Sequence, residues 1–196
     1  MMRKINNILI FCIAMELNKG IVLLSDPFLK DPNFIRTAVL ICEHNEDGDV
    51  GFILNKKTNQ YLGDLVEIAE GIALPVFEGG PVEQHTLHFI HRRPDIIQEG
   101  LEISKGIYWG GDFDVAIAAL HNKEITENQI RFFMGYSGWS SGQLKEEIDE
   151  KSWILTQADP GILFIDETHQ IWKRSLQQLG GEYAQMTNYP IDPQLN

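Results

Sequence analysis

Apolar residues in this chain come in short blocks divided by turn-forming residues, and the spacing within each block predicts alternating strands and helices. Gly20–Ser25 (Gly-Ile-Val-Leu-Leu-Ser) is an apolar run of strand length, closed by Asp26-Pro27. Asp31-Pro32-Asn33 repeats that turn chemistry, so residues 26–34 are expected to form an irregular loop. Thr37–Cys42 is nearly continuous in apolar character, as expected of a strand covered on both faces. Asp47-Gly48 then predicts a tight turn into Val50–Leu54, completing a hairpin. Leu62, Leu65, Val66 and Ala69 share one face of a helix over 62–69. Pro75-Val76-Phe77 leads into a sharp bend at Glu78-Gly79-Gly80-Pro81-Val82, and His85–His91 alternates as a strand.

Leu101–Ile103 and Ile107–Trp109 are strand candidates joined by a turn at Gly106. Asp112 is placed to cap a helix over 113–120, and Ile130–Tyr136 returns as a strand. A helix over 141–150 follows, then strands at 153–156 and 162–166. A last amphipathic helix carries Ile171, Trp172, Leu176 and Leu179 and stops at Gly180-Gly181. The alternation is irregular and no repeat of about 20–50 residues is present. The expected fold class is α/β, with α+β as the alternative: a single domain with a mixed β-sheet between helices. That domain is expected over 15–180, with 181–196 as a tail and 1–14 as a leader or upstream-start extension.

Composition narrows the picture. A 196-residue chain with 43% hydrophobic content can bury one substantial core, and 22% charged residues is ordinary for a folded domain. The net charge is −12, and without residues 1–14, which hold Arg3 and Lys4 and no acid, 14 bases face 28 acids. Such a field repels phosphate backbones, and the densest basic clusters, Arg92-Arg93 and Lys173-Arg174, are only pairs. Direct DNA binding is therefore disfavoured. Two cysteines, Cys12 and Cys42, make no disulfide framework and no C-x-x-C metal pattern, which suits a reducing compartment. Met1–Lys4 followed by Ile8–Ala14 mimics a signal peptide, but no small-x-small cleavage site follows and the apolar run is too short to span a bilayer. Met15 offers an alternative start, and a cytoplasmic protein is the expectation.

Candidate chemistry gathers at a few places. The densest signal is Gly135-Tyr136-Ser137-Gly138-Trp139-Ser140-Ser141-Gly142-Gln143-Leu144, where glycines and aromatics are packed into what reads as one turn. Ser140-x-x-Gln143 fits a capping box, and Gln143 and Glu147 share a helix face. The Gly79-Gly80-Pro81 bend reads as a tight turn that could also expose backbone N–H groups, but no P-loop follows it. In His85-x-x-His88-x-x-His91, strand geometry places His85 and His91 about 20 Å apart with His88 on the other face. No two of them would share a metal ion, and no cofactor-binding pattern appears elsewhere. Strand parity sets Cys42 and His44 on one face and Glu43 on the other; a thiol in an apolar strand is usually inert packing. Neither Ser137 nor Ser140 sits in a G-x-S-x-G elbow.

Several ordered motifs together make the chain resemble the bacterial AlgH/YqgE family, from about Leu17 to Leu179. They are Asp31-Pro32-x-Phe34 with Arg36, Ile41-Cys42-Glu43-His44-Asn45, Gly51-x-Ile53-x-Asn55, Gly79-Gly80-Pro81-Val82, Ile90-His91 and Gly110-Gly111-Asp112. Gly135-Tyr136-x-Gly138-Trp139-x-x-Gly142-Gln143-Leu144-x-x-Glu147-Ile148 follows, with Trp153 behind it. The chain departs from the family where Lys56-Lys57 follows Asn55 in place of a basic residue and proline, and in the leader before Met15. The resemblance implies an α/β fold with a mixed sheet, in a cytoplasmic bacterial protein. It implies no particular reaction; one member takes its name from a proposed role in transcriptional control of alginate synthesis. It also lifts Glu43, His44, Asn55 and His91 out of the background.

Two functions are expected to compete. The first is a non-enzymatic binding or regulatory module for a protein partner or small ligand. Its surface would combine Asn55, Gly79, Gly80, Pro81, His91, Tyr136, Trp139, Gln143 and Glu147. The second is a metal-independent hydrolase or transferase with Glu43 or His44 as general base.

Overall fold

The computed structural model describes residues 15–190; the leader over 1–14, with Cys12, and residues 191–196 lie outside the described residues. The first half of the chain forms β1 (Ile21–Ser25), β2 (Ala38–Asn45), β3 (Gly48–Ile53), β4 (Lys57–Tyr61), α1 (Leu62–Leu65), β5 (Pro75–Glu78) and β6 (Val82–His91). The second half forms β7 (Leu101–Ser104), β8 (Ile107–Trp109), α2 (Phe113–His121), β9 (Ile130–Ser140), α3 (Gln143–Asp149), β10 (Trp153–Gln157), α4 (Pro160–Leu163), α5 (Ile171–Leu179) and α6 (Gly181–Met186). The strands join one curled sheet in the order β10-β1-β2-β3-β9-β6-β8-β7, with β5 on β9 and β4 on β5. Every pairing is antiparallel except β5 with β9, so the single domain with a mixed sheet is present in its α+β form.

Both faces of the sheet are covered, which explains the unbroken apolar runs. In β1 and β2, Val22, Leu24, Leu40 and Cys42 face a core shared with Ile171, Trp172 and Leu176 of α5. The intervening Ile21, Leu23, Val39 and Ile41 face a second core with Trp139, Leu144 and Trp153. A third core lies under α1 and α2, where Leu62, Ala116 and Ile117 meet Phe89 and Phe132.

β9 enters all three cores because it changes face midway. Phe133 belongs to the α5 core and Trp139 to the opposite one, although both are odd-numbered positions. Strand parity would keep them together. Gly135 breaks the parity with φ +65°, and opposite it β6 carries extra residues, since Val82 pairs Tyr136 while Leu87 pairs Met134. At the same place β9 exchanges its neighbour. Phe132–Met134 pair with β5, and Ser137–Ser140 pair with β3. The Gly79 peptide fills the junction: its N–H donates to the Met134 carbonyl at 2.8 Å. Its carbonyl accepts from the Ile53 N–H at 2.9 Å and from Ser137 Oγ at 3.0 Å. A Cβ on Gly79 would overlap the Gly135 carbonyl, and one on Gly80 would overlap the Tyr136 backbone.

Arg131 anchors the other end of β9. Its guanidinium is buried and donates to the carbonyls of Leu54 (3.3 Å), Leu163 (2.5 Å) and Ile165 (3.2 Å), while lying over the rings of Phe77 and Phe164. Burial pushes its pKa down to about 10, so it remains charged at neutral pH.

Several local expectations change. The helix expected over 62–69 breaks at Val66, which is extended, into α1 and a 3-10 turn at Glu67–Ala69. The strand expected at 162–166 is instead the end of α4 and the irregular stretch after it, because Asp159 caps the Gly161 N–H and Pro160 opens the helix. The strand Lys57–Tyr61 was invisible to an apolar pattern because four of its five residues are exposed. Past Gly180 the chain forms α6 rather than an irregular tail, and Tyr183 and Met186 pack on the α5 core. The expected turn at 135–140 is strand, and the helix beyond it starts at Gln143 rather than Ser141.

Gly135→Ala should destabilise the protein by about 1–3 kcal/mol, the cost of holding a side chain in left-handed backbone. The added Cβ would also lie 2.6 Å from the Val82 carbonyl. Urea denaturation should show a lower midpoint with an unchanged slope.

Candidate functional site

The second half of β9 carries the candidate site. Beyond Gly135 the even-numbered residues Tyr136, Gly138 and Ser140 face one way and Trp139 the other. Gly138 is exposed in mid-strand, leaving a gap in the wall of side chains. Two clefts meet there, and both are lined by Gly138 and Trp139.

The larger cleft has a volume of about 410 Å³ and lies between the 26–34 loop, Pro81 and α3. Its loop wall is shaped by Asx turns, in which Asp26 Oδ1 accepts from the Phe28 N–H and Asp31 Oδ1 from the Asn33 N–H, each at 2.8 Å. Lys56 Nζ holds the loop from behind through the Asn33 carbonyl at 2.7 Å. Phe34 stacks on Trp139 with centroids 6.0 Å apart and meets the edge of Trp153 at 5.3 Å. Opposite the loop stand Gln143, Glu147 and Ser152.

Glu147 organises this wall. Its Oε2 accepts from the indole N–H groups of Trp139 (3.0 Å) and Trp153 (2.7 Å), and its Oε1 accepts from Gln143 Nε2 at 3.0 Å. Both tryptophans are buried, with 6% and 4% exposure, so their indoles depend on this carboxylate for a partner. Half of the expected capping box forms: Gln143 Oε1 accepts from the Ser140 N–H at 3.0 Å, while the N-cap is Gly142 with no side-chain bond.

The second cleft, about 400 Å³, is lined by Glu43, Asn45, Asp47 and Asp49 of the β2–β3 hairpin together with Val82, Tyr136 and Ser140. A bulge in β2 between Ile41 and Glu43 overturns the simple parity expected for this stretch. Cys42 stays in the core, where burial raises its thiol pKa, and His44 turns outward with 37% exposure. His44 Nδ1 lies 2.5 Å from Oδ1 of Asp49, whose side chain is 5% exposed. No Cys–His pair forms. Glu43 Oε1 accepts from Asn45 Nδ2 at 2.7 Å.

The structure therefore brings Glu43, Pro81, Tyr136, Trp139, Gln143 and Glu147 to two adjoining clefts. Asn55 is elsewhere: its Oδ1 accepts from the Ala38 N–H and its Nδ2 donates to the Arg36 carbonyl, tying β2 to the end of β3. Gly79 and Gly80 serve the strand junction, where the Gly79 N–H is bonded to the Met134 carbonyl. His91, the last residue of β6, is buried and stacked on Tyr108 at 5.6 Å, with Nδ1 accepting from the Arg93 N–H at 3.2 Å. Its Nε2 has no hydrogen-bond partner among the described residues and abuts Gly100, where a Cβ would come within 2.8 Å. Burial lowers the His91 pKa, against the opposing pull of the Gly110 carbonyl and Asp95. No group of three or more His, Cys, Asp or Glu among the described residues could hold a metal ion.

Sequence reasoning missed Asp31, Asn33, Asp49 and Ser152 as cleft residues. Phe34 and Trp153 stand in the motifs that carry the resemblance, but only the fold sets them beside Trp139. Asp49 had no signal beyond following Gly48.

Comparison with known proteins places this arrangement. Residues 22–184 match the family model described as AlgH-like. A UPF0301 protein of Chlorobium limicola is 42% identical over 181 residues, covering 92% of this chain and 97% of that protein. A UPF0301 protein of Cytophaga hutchinsonii is 38% identical and is covered completely. The solution structure of AlgH from Pseudomonas aeruginosa superposes with a TM-score of 0.68 at 27% identity, over 88% of this chain and 94% of that one. A crystal structure from Corynebacterium diphtheriae shares the fold, with a TM-score of 0.71 at 18% identity over 89% and 94% of the two chains. The chain belongs to the AlgH-like family.

Two outcomes follow from the geometry. Glu147→Ala leaves two buried indole N–H groups unpaired and should cost roughly 2–4 kcal/mol, whereas Glu147→Gln keeps an acceptor and should cost less. Urea melts followed by tryptophan emission would compare them. For His91, the unfolded chain takes up a proton before the folded one as the pH falls below the ordinary value of 6.5. Stability is then complete above 6.5 and falls as the pH drops through the lowered folded value. Thermal melts across this range should show the loss, and His91→Asn should flatten it.

Proposed function

We propose that this member of the AlgH-like family is a non-enzymatic binding module, acting in the bacterial cytoplasm, whose small ligand or protein partner seats across the two clefts meeting at Gly138 and Trp139. One observation carries the reading. Six residues singled out from separated stretches of sequence line adjoining clefts of about 400 and 410 Å³. Their walls are set in advance by the Glu147–indole bonds and the Asx turns of the 26–34 loop. Pre-ordered walls favour binding because less conformational freedom is lost when the ligand arrives. Their polar groups are largely engaged with one another, which suits recognition better than proton transfer. Any regulatory role in transcription runs through such a partner or ligand: no Lys, Arg or His among the described residues lines either cleft. Gel-shift titration at low salt should give no DNA complex.

One observation favours a second reading, a hydrolase or transferase with His44 as general base. The buried Asp49 orients the His44 ring through Nδ1, as a catalytic base requires. Turnover of any ester or phosphoester that is lost in both His44→Gln and Asp49→Asn would support it; wild-type protein without turnover would remove it.

The test of the binding reading is a thermal-shift screen of small molecules, repeated with Gly138→Val. A side chain at 138 fills the shared floor, and its nearest neighbour at 3.2 Å is the end of the Tyr136 ring. Hits should raise the melting temperature of the wild type and not of a folded Gly138→Val protein. Equal shifts in both proteins would place binding elsewhere and overturn the reading.

A further inference from the structure

The chemistry of the cleft walls names a class of ligand. The two clefts together present Asp31 and Glu147 on one side, and Glu43, Asp47 and Asp49 on the other. No cationic side chain among the described residues lines either cleft. Of these carboxylates only Asp49 belongs to an ion pair within the described residues, and its partner His44 stands outside the lining. Aromatic rings also stand in the walls, Phe34, Trp139 and Trp153 in one cleft and Tyr136 with Trp139 in the other, among apolar, amide and hydroxyl side chains such as Leu29, Val82, Asn33 and Ser152. Several carboxylates with aromatic rings among them and no cation in the lining are complementary to an organic cation, which anions and ring quadrupoles both attract. An anion would meet repulsion from every charged group in the walls, and a neutral apolar ligand would leave those carboxylates desolvated and unpaired.

Resting on the binding reading above, we infer that the cleft at Gly138 takes an alkylammonium or guanidinium group. The cation lies between the Glu147 wall and the Asp31 loop, and its alkyl stem runs over Gly138. Glu147 is suited to this because its donors are all neutral: two indoles and one amide orient the carboxylate without cancelling its charge. The Gly138 gap gives the stem a path between the clefts that a side chain would close. The cation is either a free amine or the side chain of a lysine or arginine in a partner; both present the same group to the walls.

Agmatine, n-butylamine, butyrate and n-butanol, with a blocked Gly-Arg-Gly peptide, serve as probes of the full chain. Binding is followed by tryptophan emission and by amide NMR shifts at Gly138 and Trp139. The amine and guanidinium probes should bind, and more weakly as salt rises. Asp31→Asn and Glu43→Gln, both at the cleft rims, should each weaken binding roughly 5-fold, the effect of one screened charge at close range. Agmatine stronger than the peptide points to a free amine, and the reverse points to a side chain of a partner. Butyrate or n-butanol perturbing Gly138 while the cations do not would overturn the cation assignment and leave the binding reading standing. No shift at Gly138 with any probe, together with a screen whose hits ignore Gly138→Val, would overturn both.

Discussion

The close crossing of Gly79 and Gly80 with the backbone at Gly135 is the constraint on which the rest depends. Three peptide segments approach there to distances that no side chain tolerates. Because they do, β9 can leave β5, accept β3 and turn over between Phe133 and Trp139. One strand thereby serves the α5 core with its first half and the Trp139–Trp153 core with its second. The single Gly79 carbonyl bonds to β3 and to Ser137 at once, so the exchange of neighbours leaves no buried peptide group idle.

The clefts are a consequence of that turnover. Trp139 is carried to the face where Phe34 and Trp153 wait, and Tyr136 and Gly138 are carried to the other. Glu147 then does two things with one carboxylate: it satisfies two buried indoles and stands in the wall of a cavity. A structural role and a binding role therefore do not compete at this residue. The hydrogen bonds explain where Glu147 stands, and its charge explains what could meet it there. Asn55 and His91 differ. Neither lines a cleft: the Asn55 amide is bonded to backbone on both its oxygen and its nitrogen, and His91 is buried with Nε2 unpartnered among the described residues.

How much was legible depended on the kind of signal each element emits. β1 and β2 announced themselves because both faces are buried, and the α2 cap at Asp112 held because its carboxylate accepts from the Val115 N–H, a bond made by near neighbours. β4 was silent because Lys57, Asn59, Gln60 and Tyr61 are exposed and its pairing with β5 comes from tertiary contact. Residues 162–166 read as a strand by composition, yet Asp159-Pro160 starts a helix that runs into them, a local signal stronger than the apolar run it precedes. Of the candidate site, Pro81, Tyr136, Trp139, Gln143 and Glu147 were visible as motif residues. Asp31 was visible as a motif residue but only as part of a turn, and Asp49 was not visible at all, since a hairpin acid looks like many others.

By itself the sequence determined the family, through its ordered motifs, and also the single domain with its mixed sheet, the acidic field and most strand and helix positions, because these last follow from burial periodicity, turn chemistry and composition carried by neighbouring residues. Only the tertiary structure decided that the glycine-rich run at 135–140 is a face-switching strand rather than a turn. It alone decided that the 29–34 loop, the β2–β3 hairpin, Pro81, the end of β9 and one side of α3 line two adjoining clefts. The physical reason is that a positive φ at Gly135 and the overlap of backbones at Gly79 and Gly80 are relations between segments distant in sequence. Which side of β9 each aromatic occupies depends on them, and no local pattern encodes that.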